Sequence, residues 1–242
     1  MCEFGSTDGS LVAAAWESGM DNAIRFDNAK MIKNNDNAWS MNQESVDLNV
    51  YLYCDKIYLS EMAMILQKEV ETKKWLTEAA TLKDKINNRF YDSTTDYYYD
   101  TSLKGKLLTE SMGPEGWLPL WANIPSQEQS KKILNIILQE SVFNTFVPLP
   151  TIMVNHKKFD PLKGYWRGPV WLDQFYFCVE GLKKYGYTNE ANMLIVKLLN
   201  NGEGIMNNQP LRENYHPING MGLNAINFSW SAAHILLMLH SL

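Results

Sequence analysis

The sequence predicts an all-α protein in which helices alternate with long loops, and three observations predict it. Apolar residues recur every three or four positions in several stretches, most cleanly at Trp75, Ala79, Leu82, Ile86 and Phe90, with Lys and Glu on the opposite face. No stretch alternates apolar and polar residues with the period of two that half-buried strands require. The Trp, Arg, Asp and Glu residues that do not belong to solvated helix faces fall in Gly- and Pro-containing connections. That pattern suits a helical scaffold carrying its chemistry on loops.

In chain order, the turn cluster Ser6–Ser10 leads into the apolar run Leu11–Ala15. Ser18-Gly19 interrupts it, and Asp21-Asn22 is placed to cap a new helix. Residues 28–42 are polar and Asn-rich and read as a loop. A helix is predicted over 44–67 from Val46, Val50, Tyr53, Ile57, Met62, Ile65 and Leu66, and a second over 70–91. Asp92–Asp96 is a turn, and Tyr97–Asp100 is short and extended. After the loop Gly113–Trp117, a helix over 126–140 has Ser126 as N-cap and Ile133, Ile136, Ile137 and Leu138 inward. Prolines keep Phe146–Pro150 extended. The loop Tyr165–Gln174 precedes a helix to about Tyr185, and a further helix covers about 189–199. Glu213–Pro217 reads as a polar-aromatic loop before a last helix over 228–240.

The chain has 242 residues, 45% hydrophobic and 20% charged, with a formal net charge of −5. That is enough chain for a sizeable core. The acidic balance argues against nucleic acid, whose phosphates demand basic patches. No stretch approaches the roughly 20 apolar residues of a membrane span, and Met1–Ser10 lacks the pattern of a signal peptide. Neither feature assigns a compartment. Cys2, Cys54 and Cys178 show no metal spacing, and Cys54 and Cys178 lie in apolar stretches as small core residues. His156, His216, His234 and His240 form no metal-binding motif either.

Aromatic residues make up 12% of the chain, including 8 Trp and 12 Tyr. Tyr165-Trp166-Arg167-Gly168-Pro169-Val170-Trp171-Leu172-Asp173-Gln174 concentrates three large rings, a guanidinium and a carboxylate. Rings stack on the apolar faces of a sugar, while its hydroxyls need charged or amide partners. The same residues also suit an aromatic core turn with an Arg–Asp pair, so both readings stay open at this level. Among the 27 Asp and Glu residues, those set among rings, Gly and Pro are Glu17, Asp21, Asp27, Glu44, Asp47, Glu115, Asp173 and Glu213. A charge there is costly unless paired. Arg25, four residues beyond Asp21, is placed to neutralise Glu17 and Asp21 if the segment is helical. Alternatively, one of these carboxyls keeps its proton and serves as a general acid, with Glu213 as the distant partner. Glycoside hydrolysis by inversion uses such a pair, roughly 6.5–9.5 Å apart with one water between.

Six ordered segments carry a more specific signal. They are Trp16–Asn22, Gly113–Trp117, Phe143–Pro148, Tyr165–Trp171, Glu213–Pro217 and Asn227–His234. Together they resemble glycoside hydrolase family 63, the processing alpha-glucosidase I family, in particular its bacterial glucosidase-like members. The resemblance implies an (α/α)6 toroid with the site on the loops at one end. It implies inverting, exo-acting hydrolysis of a terminal α-linked glucose from an oligosaccharide or glucoside. Asp21 would be the general acid and Glu213 the general base. Trp16, Glu115, Trp117, Phe146, Trp166, Arg167, Trp171, Asp173 and Trp230 would shape the sugar pocket. No cofactor is implied for the chemistry; a structural calcium through Glu44 is. A full toroid needs twelve helices, and only seven or eight are visible. Residues 1–242 are therefore expected to be the C-terminal part of a barrel catalytic domain, whose missing N-terminal portion would be its partner. Two alternatives accompany this reading: a trehalase or glucosylglycerate-type hydrolase of the same toroid, and a truncated carbohydrate-binding remnant without turnover. The segment Tyr165–Trp171 favours family 63 over trehalase.

Overall fold

The computed structural model describes all residues, Met1–Leu242. It opens with β1 (Gly5–Ser6) and α1 (Leu11–Trp16), whose N-cap Ser10 accepts from the Ala13 amide. Gly19, at φ +74°, then turns the chain in a left-handed conformation that a side chain would oppose. A single 3₁₀ turn, Ile24–Phe26, follows. Asp21 and Asn22 cap no new helix; the Asn22 side chain is spent on the Tyr165 loop instead. β2 (Met31–Asn35) and β3 (Ala38–Met41) pair antiparallel, with β1 added at the free edge of β3. Residues 28–42 thus contain a hairpin, not the loop expected from their polarity. Ile32–Asn37 are exposed, so no alternation between core and solvent was written into the sequence.

β4 (Gln43–Glu44) leads into the longest pair of helices, α2 (Val46–Ile65) and α3 (Glu69–Phe90), packed as an antiparallel hairpin. Ala79, Ile86 and Phe90 form the buried stripe of α3, and Val46, Val50 and Cys54 that of α2. The last turns of α2 leave the core: Met62, Met64, Ile65 and Leu66 are exposed despite their periodicity. Short strands β5 (Tyr91–Asp92) and β6 (Tyr97–Tyr98) pair with each other, and β7 (Thr101–Ser102) pairs with β4. A 3₁₀ turn at Pro114–Gly116 runs into α4 (Leu118–Trp121). α5 (Gln127–Ile137) starts with a full capping box: Ser126 Oγ accepts from Gln129 N, and the Gln129 side chain accepts from Ser126 N.

α6 (Leu172–Lys184) is the centre of the packing, touching α4, α7 (Thr188–Asn201) and α8 (Ser229–His240). Gly181 permits the α4 crossing, since a Cβ there would lie 2.7 Å from the Trp121 amide nitrogen. Between α7 and α8, β8 (Arg212–Tyr215) and β9 (Gly222–Ile226) form an antiparallel hairpin. Glu213–Tyr215 is therefore strand, where the sequence read as loop. Glu and Asn are poor strand formers, and the pairing comes from the following strand, across a long connection.

Two hydrophobic clusters result. The larger holds 35 buried residues from α2 to α8. The smaller, of ten, includes Phe4, Ala14, Met20, Phe26, Met41, Trp166 and Trp171, and lies beneath the loop that carries Asp21. α8 is apolar on nearly every side but buries only Ser231, Ile235 and Met238, leaving Leu236 at 68% exposure. No helix is long and apolar enough to cross a membrane.

Candidate active site

Three segments distant in sequence meet above the smaller core. They are the loop after α1, the Tyr165–Trp171 loop before α6, and the β8–β9 hairpin. Trp166 and Trp171 stack face to face, with centroids 4.1 Å apart and planes 8° from parallel. Both are buried and anchor their loop. Tyr165 sits edge-on to Trp171 at 5.0 Å, and its carbonyl accepts from Trp171 Nε1 at 3.0 Å. Its backbone lies at φ +59°, the left-handed region that side chains avoid.

Asn22 ties the first two segments together. Its Nδ2 donates to the Gly164 carbonyl at 3.1 Å, and its Oδ1 accepts from the Trp166 amide at 3.0 Å. Arg167 Nε donates to the Asn22 carbonyl at 2.7 Å, and Arg167 Nη2 donates to Asp27 Oδ1 at 2.6 Å. Lys158 also pairs with Asp27. The hairpin joins through Val170 and Tyr215, which exchange backbone hydrogen bonds of 2.8 and 3.0 Å.

This arrangement brings Glu213 to Tyr165. The Tyr165 hydroxyl donates to Glu213 Oε1 at 2.9 Å, and the Ala225 amide donates to Oε2 at 3.2 Å. Each oxygen of Glu213 thus accepts a hydrogen bond. Asp21 lies within electrostatic reach of Glu213. Partial burial raises the Asp21 pKa and the Glu213 charge raises it further, against a backbone hydrogen bond that lowers it. Burial and the bond to Glu213 push the Tyr165 hydroxyl well above its usual range, so it remains a donor. Asp21 releases its proton at a higher pH than a free Asp, and Glu213 accepts from two donors.

The remaining candidates separate. Trp16, Phe146 and Trp230 are exposed rings, and Trp230 lies edge-on to Trp171 at 6.0 Å. Trp117 corrects the sequence reading. It has no solvent exposure, packs against Phe143 at 5.0 Å, and donates from Nε1 to the Gln174 carbonyl at 3.2 Å, so it is a core residue. Arg167 is a clamp between segments, since its nitrogens go to Asn22 and Asp27. Asp173 is buried at the start of α6. Its Oδ2 accepts from Gln174 Nε2 at 2.9 Å, while Oδ1 has no partner.

Arg25 does not neutralise Asp21, because the segment is not a continuous helix. Its Nη2 lies 2.5 Å from Asp47 Oδ2, its Nη1 lies 3.3 Å from Asp100 Oδ2, and Glu115 is close enough to act on its charge. Glu115 is enclosed in this cluster, and burial pushes its carboxyl up to about 7, with Arg25 opposing. Glu44 accepts from Arg89 Nε at 2.6 Å and Thr101 Oγ1 at 2.9 Å. A guanidinium on that carboxylate opposes a cation there, and no group of three or more His, Cys, Asp or Glu residues is arranged to hold a metal. Calcium wants about six to eight oxygens, so the donor set at Glu44 does not fit it. Sequence reasoning missed Asn22 as the bridge and Tyr165 as the partner of Glu213. Their residue types were in view, but a left-handed φ and a long-range bridge leave no local signature.

Comparison with known proteins gives a consistent family. Residues 3–231 match the model of the mannosylglycerate hydrolase MGH1-like glycoside hydrolase domain. Mannosylglycerate hydrolase of Thermus thermophilus is 27% identical over 72% of this chain and 40% of its own length. Mannosylglycerate hydrolase MGH1 of Selaginella moellendorffii is 31% identical over 71% of this chain and 37% of its own. The chain therefore spans about two fifths of the length of these relatives. A crystal structure of the GH63 mannosylglycerate hydrolase from Thermus thermophilus, in complex with Tris and D-glycerate, is 27% identical. It aligns with a TM-score of 0.67 over 81% of this chain and 46% of that one. Neutral trehalase Nth1 of Saccharomyces cerevisiae, at 19% identity, shares the fold with a TM-score of 0.77 over 96% of this chain and 42% of its own. These neighbours have the (α/α)6 toroid fold, and the helices described above form part of it. The chain belongs to the mannosylglycerate hydrolase MGH1-like glycoside hydrolases, within glycoside hydrolase family 63.

Proposed function

We propose that this chain supplies the acid–base pair of an inverting, exo-acting glycoside hydrolase that releases a terminal α-linked sugar. Residues 1–242 would form the C-terminal part of its barrel catalytic domain. Asp21 is the general acid and Glu213 the general base. Glu213 takes a proton from a water as the water oxygen bonds to the anomeric carbon. Asp21 gives its proton to the glycosidic oxygen as the bond from carbon to that oxygen breaks. The sugar leaves with inverted anomeric configuration, and no covalent intermediate forms. The two carboxyls account for every proton moved, so the chemistry calls for no cofactor.

The observation that carries this reading is the contrast between the two carboxyls. The Asp21 pKa is raised by burial and by Glu213, while both Glu213 oxygens accept hydrogen bonds. Carboxyls placed in such different environments are the usual mark of divided acid and base roles. Exposed Trp16, Phe146 and Trp230 are available as stacking surfaces for the sugar. The relatives named mannosylglycerate hydrolase favour a small glycoside with a glycerate aglycone over a long oligosaccharide. An α-glucoside is the second candidate, on the six segments that resemble the alpha-glucosidase I family.

The test is sugar release from mannosylglycerate, glucosylglycerate and α-linked glucose disaccharides. Release from at least one of them, abolished in both Asp21→Asn and Glu213→Gln, is the expected result. Turnover that survives in either variant would sink the assignment.

A further inference from the structure

We infer that Arg25 is a positioning residue for Asp21, a role that rests on the acid–base reading above. The loop around Asp21 has little structure of its own. Between the end of α1 and β2 it contains one 3₁₀ turn and a left-handed glycine. Its place is therefore set by tethers. Asn22 fastens one side to the Trp166 loop. Arg25 fastens the other side to the main core. Its guanidinium reaches Asp47 in the first turn of α2 through two bonds, Nη1 to Oδ1 at 3.0 Å and Nη2 to Oδ2 at 2.5 Å. It also reaches Asp100, which in turn accepts from the Val46 amide at 2.8 Å and from Gln43 Nε2 at 3.1 Å. Gln43 closes the circuit by donating to the Arg25 carbonyl at 3.3 Å.

The partners in this network are buried: Asp47 has no exposure, and Asp100 and Gln43 have 3% each. Phe26 lies under the guanidinium, with its ring centre 4.4 Å away. A forked, permanently charged group held between two carboxylates and a ring has one available orientation. The Arg25 backbone, four residues from Asp21, is fixed with it. Asn22 and Arg25 thus grip the loop from opposite sides, one toward the Trp166 loop that meets the base-bearing hairpin and one toward α2. The consequence is a fixed approach of Asp21 to Glu213. A loop released at Arg25 would move Asp21 toward solvent and away from that charge.

The deciding measurement is the Asp21 carboxyl titration, followed by carbon-13 NMR in the 242-residue chain with and without Glu213→Gln. In the parent protein, Glu213→Gln lowers the Asp21 pKa, because the neighbouring charge is gone. In Arg25→Met the Asp21 pKa starts lower, and Glu213→Gln no longer moves it. Arg25→Met combined with Asp47→Asn and Asp100→Asn removes the ion pairs together and leaves Glu115, whose burial favours its neutral form, and the same loss of coupling is expected there. Arg25→Lys restores part of the coupling. An Asp21 titration unchanged in both the single and the triple variant overturns the inference. Where glycosidase activity is present, kcat falls roughly tenfold or more in these variants while KM stays within about twofold, as expected of a misplaced acid. The Asp21 titration alone decides the role of Arg25, whereas turnover surviving in Asp21→Asn or Glu213→Gln overturns the acid–base reading.

Discussion

Tyr165 donates its hydroxyl hydrogen to Glu213 Oε1 at 2.9 Å from a backbone held at φ +59°. A left-handed, non-glycine residue costs on the order of 1 kcal/mol or more, and such strain tends to persist where function demands it. The strain is held by the Trp171 indole on the Tyr165 carbonyl and by Asn22 on the peptides either side of Tyr165. Glu213 is thereby aimed by a ring that the aromatic stack holds in place.

Removing that hydroxyl tests its role. Tyr165→Phe keeps the ring and its stacking and loses only the bond to Glu213. Hydrogen bonds to charged groups are worth about 1.5–3 kcal/mol, so kcat is expected to drop roughly tenfold to a hundredfold. Thermal melting should fall by only a few degrees, with the fold intact. Steady-state kinetics beside a melting curve checks both.

The titration of Asp21 gives the pH profile a direction. Its folded pKa is raised by burial and by Glu213, and the acid works only while protonated. Activity is therefore lost as pH rises through that value, above the range of an ordinary Asp. A pH series of kcat/KM reads this alkaline limb directly.

Glu115 makes a separate prediction about stability. Its folded carboxyl is pushed up to about 7 from its ordinary value of 4.5. Between those values the folded state holds a proton that the unfolded chain has released. Its stabilising contribution is complete below about pH 4.5 and is lost as pH rises through 7. A gap of this size is worth up to about 3 kcal/mol. Glu115→Gln keeps the shape without the titration, so its stability relative to the parent should grow between pH 4.5 and 7. Urea unfolding of both proteins at a series of pH values measures the difference.

Metal dependence is predicted to be absent at Glu44. With Arg89 Nε 2.6 Å from its Oε2, the site already has its counter-charge. Chelator or added calcium should leave the melting temperature within about a degree, since ligands shift it only by binding the folded state. A calcium-dependent rise of several degrees, removed by Glu44→Gln, would contradict this account.

The exposed face of α8 predicts solution behaviour. Leu236, Leu237 and Leu239 are 68%, 47% and 46% exposed, and the end of α2 adds Ile65 at 77%. Exposed apolar side chains grouped on one helix drive association. The 242-residue chain should self-associate, and Leu236→Lys with Leu239→Lys should shift it toward monomer in light scattering. A monomeric parent protein refutes the prediction.

The legible parts of the fold were those with solvent on one side. α3 and α5 carried their stripes in the sequence because one face is buried and the other wet, and Ser126 announced its cap through Gln129. The β2–β3 hairpin was illegible because its exposed residues need no alternation. Met62, Ile65 and Leu66 kept a helical period without a core to enter. In the site, residue types pointed to Asp21 and Glu213, but not to what holds them. A tryptophan in a Gly-Pro-Glu-Gly loop reads the same whether it faces a sugar or the core, so Trp117 was misplaced. Arg25 stands at helical spacing from Asp21, but Ala23 between them is extended, with ψ 140°, and the broken helix sends Arg25 to Asp47 and Asp100.

The central claim is that Asp21 and Glu213 work as an inverting pair. Proton NMR of the first minutes of hydrolysis of an α-linked substrate tests it most directly. The account predicts the β-anomer of the released sugar first, with no sugar from Asp21→Asn or Glu213→Gln. Initial release of the α-anomer, or turnover surviving in either variant, would contradict it.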